Sequence, residues 1–161
     1  MAPHRPNQTL RTVFRAPLRL YDWNAGWLVG HRFLRLTHVG RRSGKQYQTV
    51  LEVMMIDHSN GDIMVMAGFG RKADWLRNIE TRPIAEITIG SSHFAATHTI
   101  LDEDDAVEVL AEYEHRNWWM LPVIRPVLSK LVGWDYDGSD EARHLLVREL
   151  PIVAFHPTKA G

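Results

Sequence analysis

Residues 47–67 read Tyr47-Gln48-Thr49-Val50-Leu51-Glu52-Val53-Met54-Met55-Ile56, then Asp57-His58-Ser59-Asn60-Gly61-Asp62, then Ile63-Met64-Val65-Met66-Ala67. Two apolar runs flank a polar turn, and Asn60-Gly61 is a strong hairpin signal because both residue types tolerate positive φ. A long antiparallel hairpin follows. Upstream, Arg32 to His38 alternates in the same way, and downstream Ile84 to Ile89 and His93 to Ile100 are separated by Gly90-Ser91-Ser92. Such a meander predicts a barrel or sandwich.

Helices frame these strands. Lys72 to Glu80 reads as a short helix within the meander, and Asp102 to Asn117 as a longer one after it, with Ala106, Val109, Leu110 and Tyr113 on one side. Residues 121–132 are apolar, with Pro122 at the start, Pro126 inside and Gly133 as the stop. Ser139 is the cap candidate for a helix over 139–149, and Pro151 to Phe155 closes the chain as a strand. Residues 1–12 form a polar, flexible arm, and a helix is expected from Ala16 to about residue 29. Its two apolar stripes, Leu18/Tyr21/Ala25/Leu28 and Leu20/Trp23/Trp27, suit burial in the protein or contact with a membrane interface. One domain, 1–161, is expected.

Composition narrows the chemistry. The 161 residues include no Cys, which removes disulfides, thiol nucleophiles, thiolate zinc sites and iron–sulfur clusters, and fits a reducing cytoplasm. Nine His residues show no paired ligand spacing, so no metal site is expected. Net charge is zero but uneven: residues 1–50 hold nine Arg or Lys against Asp22 alone, whereas residues 102–114 hold seven acids. A basic surface over the whole domain is therefore missing, and nucleic-acid binding is not expected. Neither a membrane span nor a signal peptide is expected.

Two short segments concentrate binding chemistry. Thr37-His38-Val39-Gly40-Arg41-Arg42-Ser43-Gly44-Lys45 places three cations, a hydroxyl and two glycines in a turn between strands, a pattern suited to a multiply charged anion. Ala67-Gly68-Phe69-Gly70-Arg71-Lys72-Ala73-Asp74-Trp75-Leu76-Arg77-Asn78 leaves a strand and enters a helix, so its glycines admit a flat ligand while the helix start adds donors. If the two loops flank one groove, that groove has an anionic end and a planar end.

Together these segments resemble the deazaflavin-dependent nitroreductase family within the split β-barrel flavin and deazaflavin oxidoreductases. The resemblance rests on Leu36 to Gly44, Thr49 to Val53, Ala73-Asp74-Trp75 with Asn78, and Pro151 to Phe155 before His156-Pro157. Gly133 to Gly138 and Gly30 to Leu34 match less strongly. Gln46, Tyr47 and Val50 depart from the commoner Pro, Arg and Pro at the matching positions. The resemblance implies an α+β split β-barrel of about six mainly antiparallel strands, with an N-terminal helix and C-terminal helices packed around it. It also implies coenzyme F420, whose phosphate and oligoglutamate tail would fall to Arg41, Arg42, Ser43 and Lys45, with Gln48 and Thr49 nearby. Ala67, Gly68, Phe69 and Gly70 would lie along the ring, with Arg71, Lys72, Asp74, Trp75 and Asn78 completing the pocket.

The implied reaction is hydride transfer from reduced coenzyme to an electron-poor acceptor such as a quinone, activated alkene or nitro compound. Proton-donor candidates are Tyr113, His115, Tyr47 and His38, and an apolar acceptor pocket can draw on Trp23, Trp27, Trp118 and Trp119. Met54, Met55, Met64 and Met66 read as strand core. An FMN-binding oxidoreductase and a non-catalytic deazaflavin or lipid carrier are the alternatives. The expected partners are a small-molecule acceptor, a second copy of the chain if it is a homodimer rather than a monomer, and a membrane surface touched through residues 16–29. A cytoplasmic protein, peripheral to the membrane if that contact forms, is expected.

Overall fold

The computed structural model describes residues 32–158; the expected arm and N-terminal helix, with Trp23 and Trp27, lie outside them. Among the described residues, seven strands form one antiparallel sheet in the order β5-β4-β1-β2-β3-β7-β6. They are β1 (Phe33–Val39), β2 (Gln46–Asp57), β3 (Asp62–Met66), β4 (Glu86–Ile89), β5 (Ser92–Phe94), β6 (Ala96–Ile100) and β7 (Ile152–Pro157). The first and last strands in that order are neighbours in sequence. Only Ala95 separates β5 from β6, so the segment expected as one strand bends there, pairing with β4 before the bend and with β7 after it. The sheet thereby curls into the split barrel.

Length and register explain how β2 serves both halves. Gln46 to Glu52 pair with β1, Val53 to Asp57 pair with β3, and a register shift between Val53 and Met55 leaves Met54 as a bulge. A bulge sets two consecutive residues on one face. Val53 accordingly packs into the barrel interior, whereas Met54 and Met55 both join the layer under the helices.

The four α-helices among the described residues are α1 (Asp74–Thr81), α2 (Glu103–Arg116), α3 (Leu121–Val132) and α4 (Asp140–Glu149). Asp102 caps α2 through a bond from Asp105 N, and Ser139 caps α4 through one from Ala142 N, satisfying donors that a helix start leaves free. Gly133, at φ 80°, ends α3 in the left-handed region that a Cβ disfavours. Two cores result. Leu34, Leu36, Leu51, Val65, Ile87 and Phe155 fill the barrel with Trp75, Leu76 and Ile79 of α1, while Met54 and Ile152 meet Leu110, Leu128, Tyr136 and Leu146 on the outer side. Removing such a buried Leu costs about 2–5 kcal/mol.

Candidate functional site

The turn between β1 and β2 is closed by its own backbone: Gly40 N donates to Lys45 O at 2.8 Å and Gly44 N to Gly40 O at 3.0 Å. Ser43 Oγ accepts from Lys45 N at 3.2 Å and meets Tyr47 Oη at 3.2 Å. A Cβ on Gly40 would meet Ser43 Oγ and lie 2.8 Å from the Tyr47 ring, so only glycine lets the hydroxyl and ring fold over the turn.

A buried polar chain ties this turn to α1. Asn78 Oδ1 accepts from Arg41 N at 3.1 Å and from Arg41 Nη1 at 2.9 Å, while Arg41 Nη2 stands 3.2 Å from Asp74 Oδ1. Asn78 Nδ2 lies 3.0 Å from His38 Nδ1, and His38 Nε2 lies 3.1 Å from Thr49 Oγ1. An amide nitrogen only donates, so His38 Nδ1 accepts and the ring proton sits on Nε2, where it is given to Thr49. Burial pulls the His38 pKa down, with the Asp74 charge opposing, which fits this neutral form. Arg41 is thus fixed before any ligand arrives, while Arg42 and Lys45 remain exposed.

From the turn a cavity of about 920 Å³ runs across the outer face of the sheet. Gln48, Val50, Glu52 and Met54, alternate residues of β2, follow it from end to end. Its basic end is bordered by Gly40, Arg41, Arg42, Ser43 and Tyr47, and one side by Gly68, Phe69, Asp74, Trp75 and Asn78. The far end is apolar: Met66, Leu110 and Tyr113 meet Val123, Ile124, Val127, Leu128 and Leu131 of α3. Both glycine loops border this cavity, the second through Gly68, Phe69 and Asp74 but not through its cations Arg71 and Lys72.

The wall formed by α3 is held from outside the cavity. Arg125 Nη2 lies 3.6 Å from Glu114 Oε2, and Glu114 also accepts from Arg143 Nε at 3.2 Å and from Tyr136 Oη. Tyr136 N donates to Ser129 Oγ at 2.8 Å. Of the helix itself only Leu128 is buried.

Several residues singled out in the sequence stand elsewhere. Ala67 is buried outside the lining, and Gly70, at φ 74°, packs so closely that a Cβ would come within 2.9 Å of Glu149 O. Lys45, Arg71 and Lys72 are exposed and do not border the cavity. Trp118 and Trp119, 71% and 61% exposed, lie beyond it in a short 3-10 turn, Trp118–Met120. Of the proton-donor candidates, His115 is outside and exposed, and Tyr47 sits at the rim. His38 is locked between Asn78 and Thr49. Tyr113 Oη donates to Glu52 Oε1 at 2.9 Å, and burial, then the Glu52 charge, push its pKa up, which makes it a poor acid. Of the methionines read as core, Met54 and Met66 also line the cavity. Sequence reasoning gave no role to Glu52, Arg32 or the α3 wall. The acid within an apolar strand and the Pro-containing apolar segment were the available signals.

Among the described residues, no cluster of His and acids could hold a metal ion, and no helix is long and apolar enough to cross a membrane. The sequence profile of F420H(2)-dependent quinone reductases matches residues 13–123. No curated protein matches the chain. Among solved structures, the protein Atu2129 of unknown function from Agrobacterium tumefaciens is similar at 15% identity and TM-score 0.50, over 98% of this chain and 59% of that one. The chain thus spans little more than half the length of that protein. An F420-H2 dependent reductase (FDR-A) is similar at 19% identity and TM-score 0.46, over 79% of this chain and 96% of that chain. A pyridoxamine 5'-phosphate oxidase-related, FMN-binding protein from Nostoc punctiforme is similar at 16% identity and TM-score 0.49, over 95% and 81% of the respective chains.

Proposed function

The chain belongs to the F420H(2)-dependent quinone reductase family, and we propose on that premise that it passes hydride from reduced coenzyme F420 to an electron-poor organic acceptor. The observation that carries this reading is the single cavity that joins a fixed cationic turn to an apolar chamber. A coenzyme with a phosphate, an acidic tail and a flat ring suits that pairing of surfaces. Arg41, Arg42 and Ser43, with Gln48 and Thr49 on β2, hold the phosphate and tail, and Lys45, outside the cavity on the same turn, adds positive charge. Gly68, Phe69, Trp75 and Asn78 border the ring, and Asp74 keeps Arg41 in place. When bound, the reduced deazaflavin supplies a hydride.

The protein's own contribution is positional. The Asn78 amide fixes Arg41 and orients His38, so the anion grip needs little reordering on binding. Leu110, Met54, Met66 and the α3 side chains offer an acceptor an apolar surface at the far end. A quinone or an activated alkene fits that surface.

Titration with oxidised and reduced coenzyme, followed by oxidation assays with a naphthoquinone and a cyclic enone, tests the proposal. Binding in the micromolar range with turnover of at least one acceptor is expected. Absence of binding at roughly tens of micromolar would sink it.

A further inference from the structure

Glu52 is an ionisable group on the cavity lining, held beside Tyr113 at the apolar end. It follows Gln48 and Val50 along β2 and precedes Met54, which is buried. Its carboxylate is 39% exposed, Oε1 is fixed by the Tyr113 hydroxyl at 2.9 Å, and Arg32 Nη2 lies 3.8 Å away. That arginine keeps its full charge and shares the lining, but its Nη2 donates to Met120 Sδ at 3.0 Å, so the guanidinium stands beside the carboxylate rather than hydrogen-bonded to it. Among the described residues, the other carboxylate on the lining, Asp74, is 83% exposed and paired with Arg41 at the basic end. We infer that Glu52 makes the cavity electrically two-ended: anions are held at the turn and repelled beside Glu52 at the apolar end, so the acceptor must be flat, lipophilic and free of negative charge.

The physical basis is short range. An anion entering beside Leu110 and Met54 meets a fixed, partly solvated carboxylate, whereas the same anion at the turn meets Arg41 and Arg42. Glu52 therefore acts as a specificity determinant, and it also gives an acidic-tailed coenzyme a single orientation. The description of the chamber as an acceptor site rests on the reductase reading; the charge discrimination is measurable without it.

The test uses the whole chain without coenzyme, in phosphate buffer so that inorganic anion already occupies the turn. Binding of 1,4-naphthoquinone and of its 2-sulfonate is followed by quenching of tryptophan fluorescence, Trp75 being on the cavity wall. Glu52→Gln keeps the shape and an oxygen for the Tyr113 hydroxyl. It is expected to strengthen sulfonate binding relative to naphthoquinone on the order of tenfold, whereas Arg32→Gln is expected to weaken it. Opposite shifts in that ratio cannot come from a general loosening of the site. If both variants leave the ratio at the wild-type value, or if the wild-type protein binds the two quinones equally, the inference is wrong. Should Glu52→Gln not fold, the wild-type ratio and its narrowing with added salt decide the question. Failure of coenzyme F420 to bind would overturn the reductase reading and leave this result standing.

Discussion

The two ends of the cavity are built on different principles. At the basic end, Arg41 is held by a buried amide, and each link from Thr49 through His38 and Asn78 is a directed hydrogen bond. At the apolar end, α3 rests on one buried leucine and is anchored behind the wall by Arg125 and Ser129. A fixed charge constellation suits a coenzyme of constant shape, because misplacing a donor by an ångström loses the bond. A wall of apolar side chains with few directional ties suits partners that share only flatness and low polarity.

The contrast yields graded expectations. Replacing Arg41 and Arg42 together by alanine removes two charge-assisted contacts, about 3 kcal/mol, so coenzyme affinity should fall roughly a hundredfold. The titration should also become less salt-sensitive, and unchanged affinity would mean that the tail binds elsewhere. Asn78→Ala leaves a buried imidazole nitrogen without its donor; unfolding in urea should show a loss of about 2 kcal/mol, with weakened coenzyme binding in proportion. Retained stability would show that the polar chain is ornamental. At the other end, Val127→Asp changes a partly exposed wall residue and should lower kcat/KM for a neutral quinone about tenfold, with the coenzyme dissociation constant within twofold of wild type. An equal effect on both ligands would erase the distinction between the ends.

The smallest effect concerns pH. His38 has a lowered pKa in the folded protein, so the unfolded chain takes up its proton first. Its contribution is complete above the ordinary imidazole pKa of about 6.5 and is lost as pH falls toward the folded value. Urea midpoints measured at neutral and mildly acid pH should separate by less in His38→Gln than in the wild type. His98, also lowered by burial, contributes in the same direction in both proteins.

Much of this architecture is legible in residue order. The Asn60-Gly61 turn, the Ser139 cap and the Gly133 stop specify their structure locally, and each is found where the sequence places it. The cationic turn is equally plain in Gly40-Arg41-Arg42-Ser43, and the fold sets it at one end of the cavity. The bulge at Met54 is not, because a run of apolar residues looks alike on either face and only pairing with two different strands shows where the register slips. Asn78 was legible as a site residue but not as the rivet of the turn, since its partners lie 37 and 40 positions away. Trp118-Trp119 misleads in the opposite sense. Large aromatic rings suggest a pocket, yet the short turn after α2 carries both outward.

The bend at Ala95 has a consequence for how the chain lives in a crowded solution. An open sheet offers neighbours two rows of unsatisfied amides, and long flat rows recruit foreign strands. Here the two margins are the halves of one kinked segment, three and five residues long, and Thr158 N already donates to Ala95 O at the kink. Protection against strand-by-strand aggregation is thereby written into connectivity rather than into charged guard residues. A substitution that straightened the segment would convert a self-sealing sheet into a template.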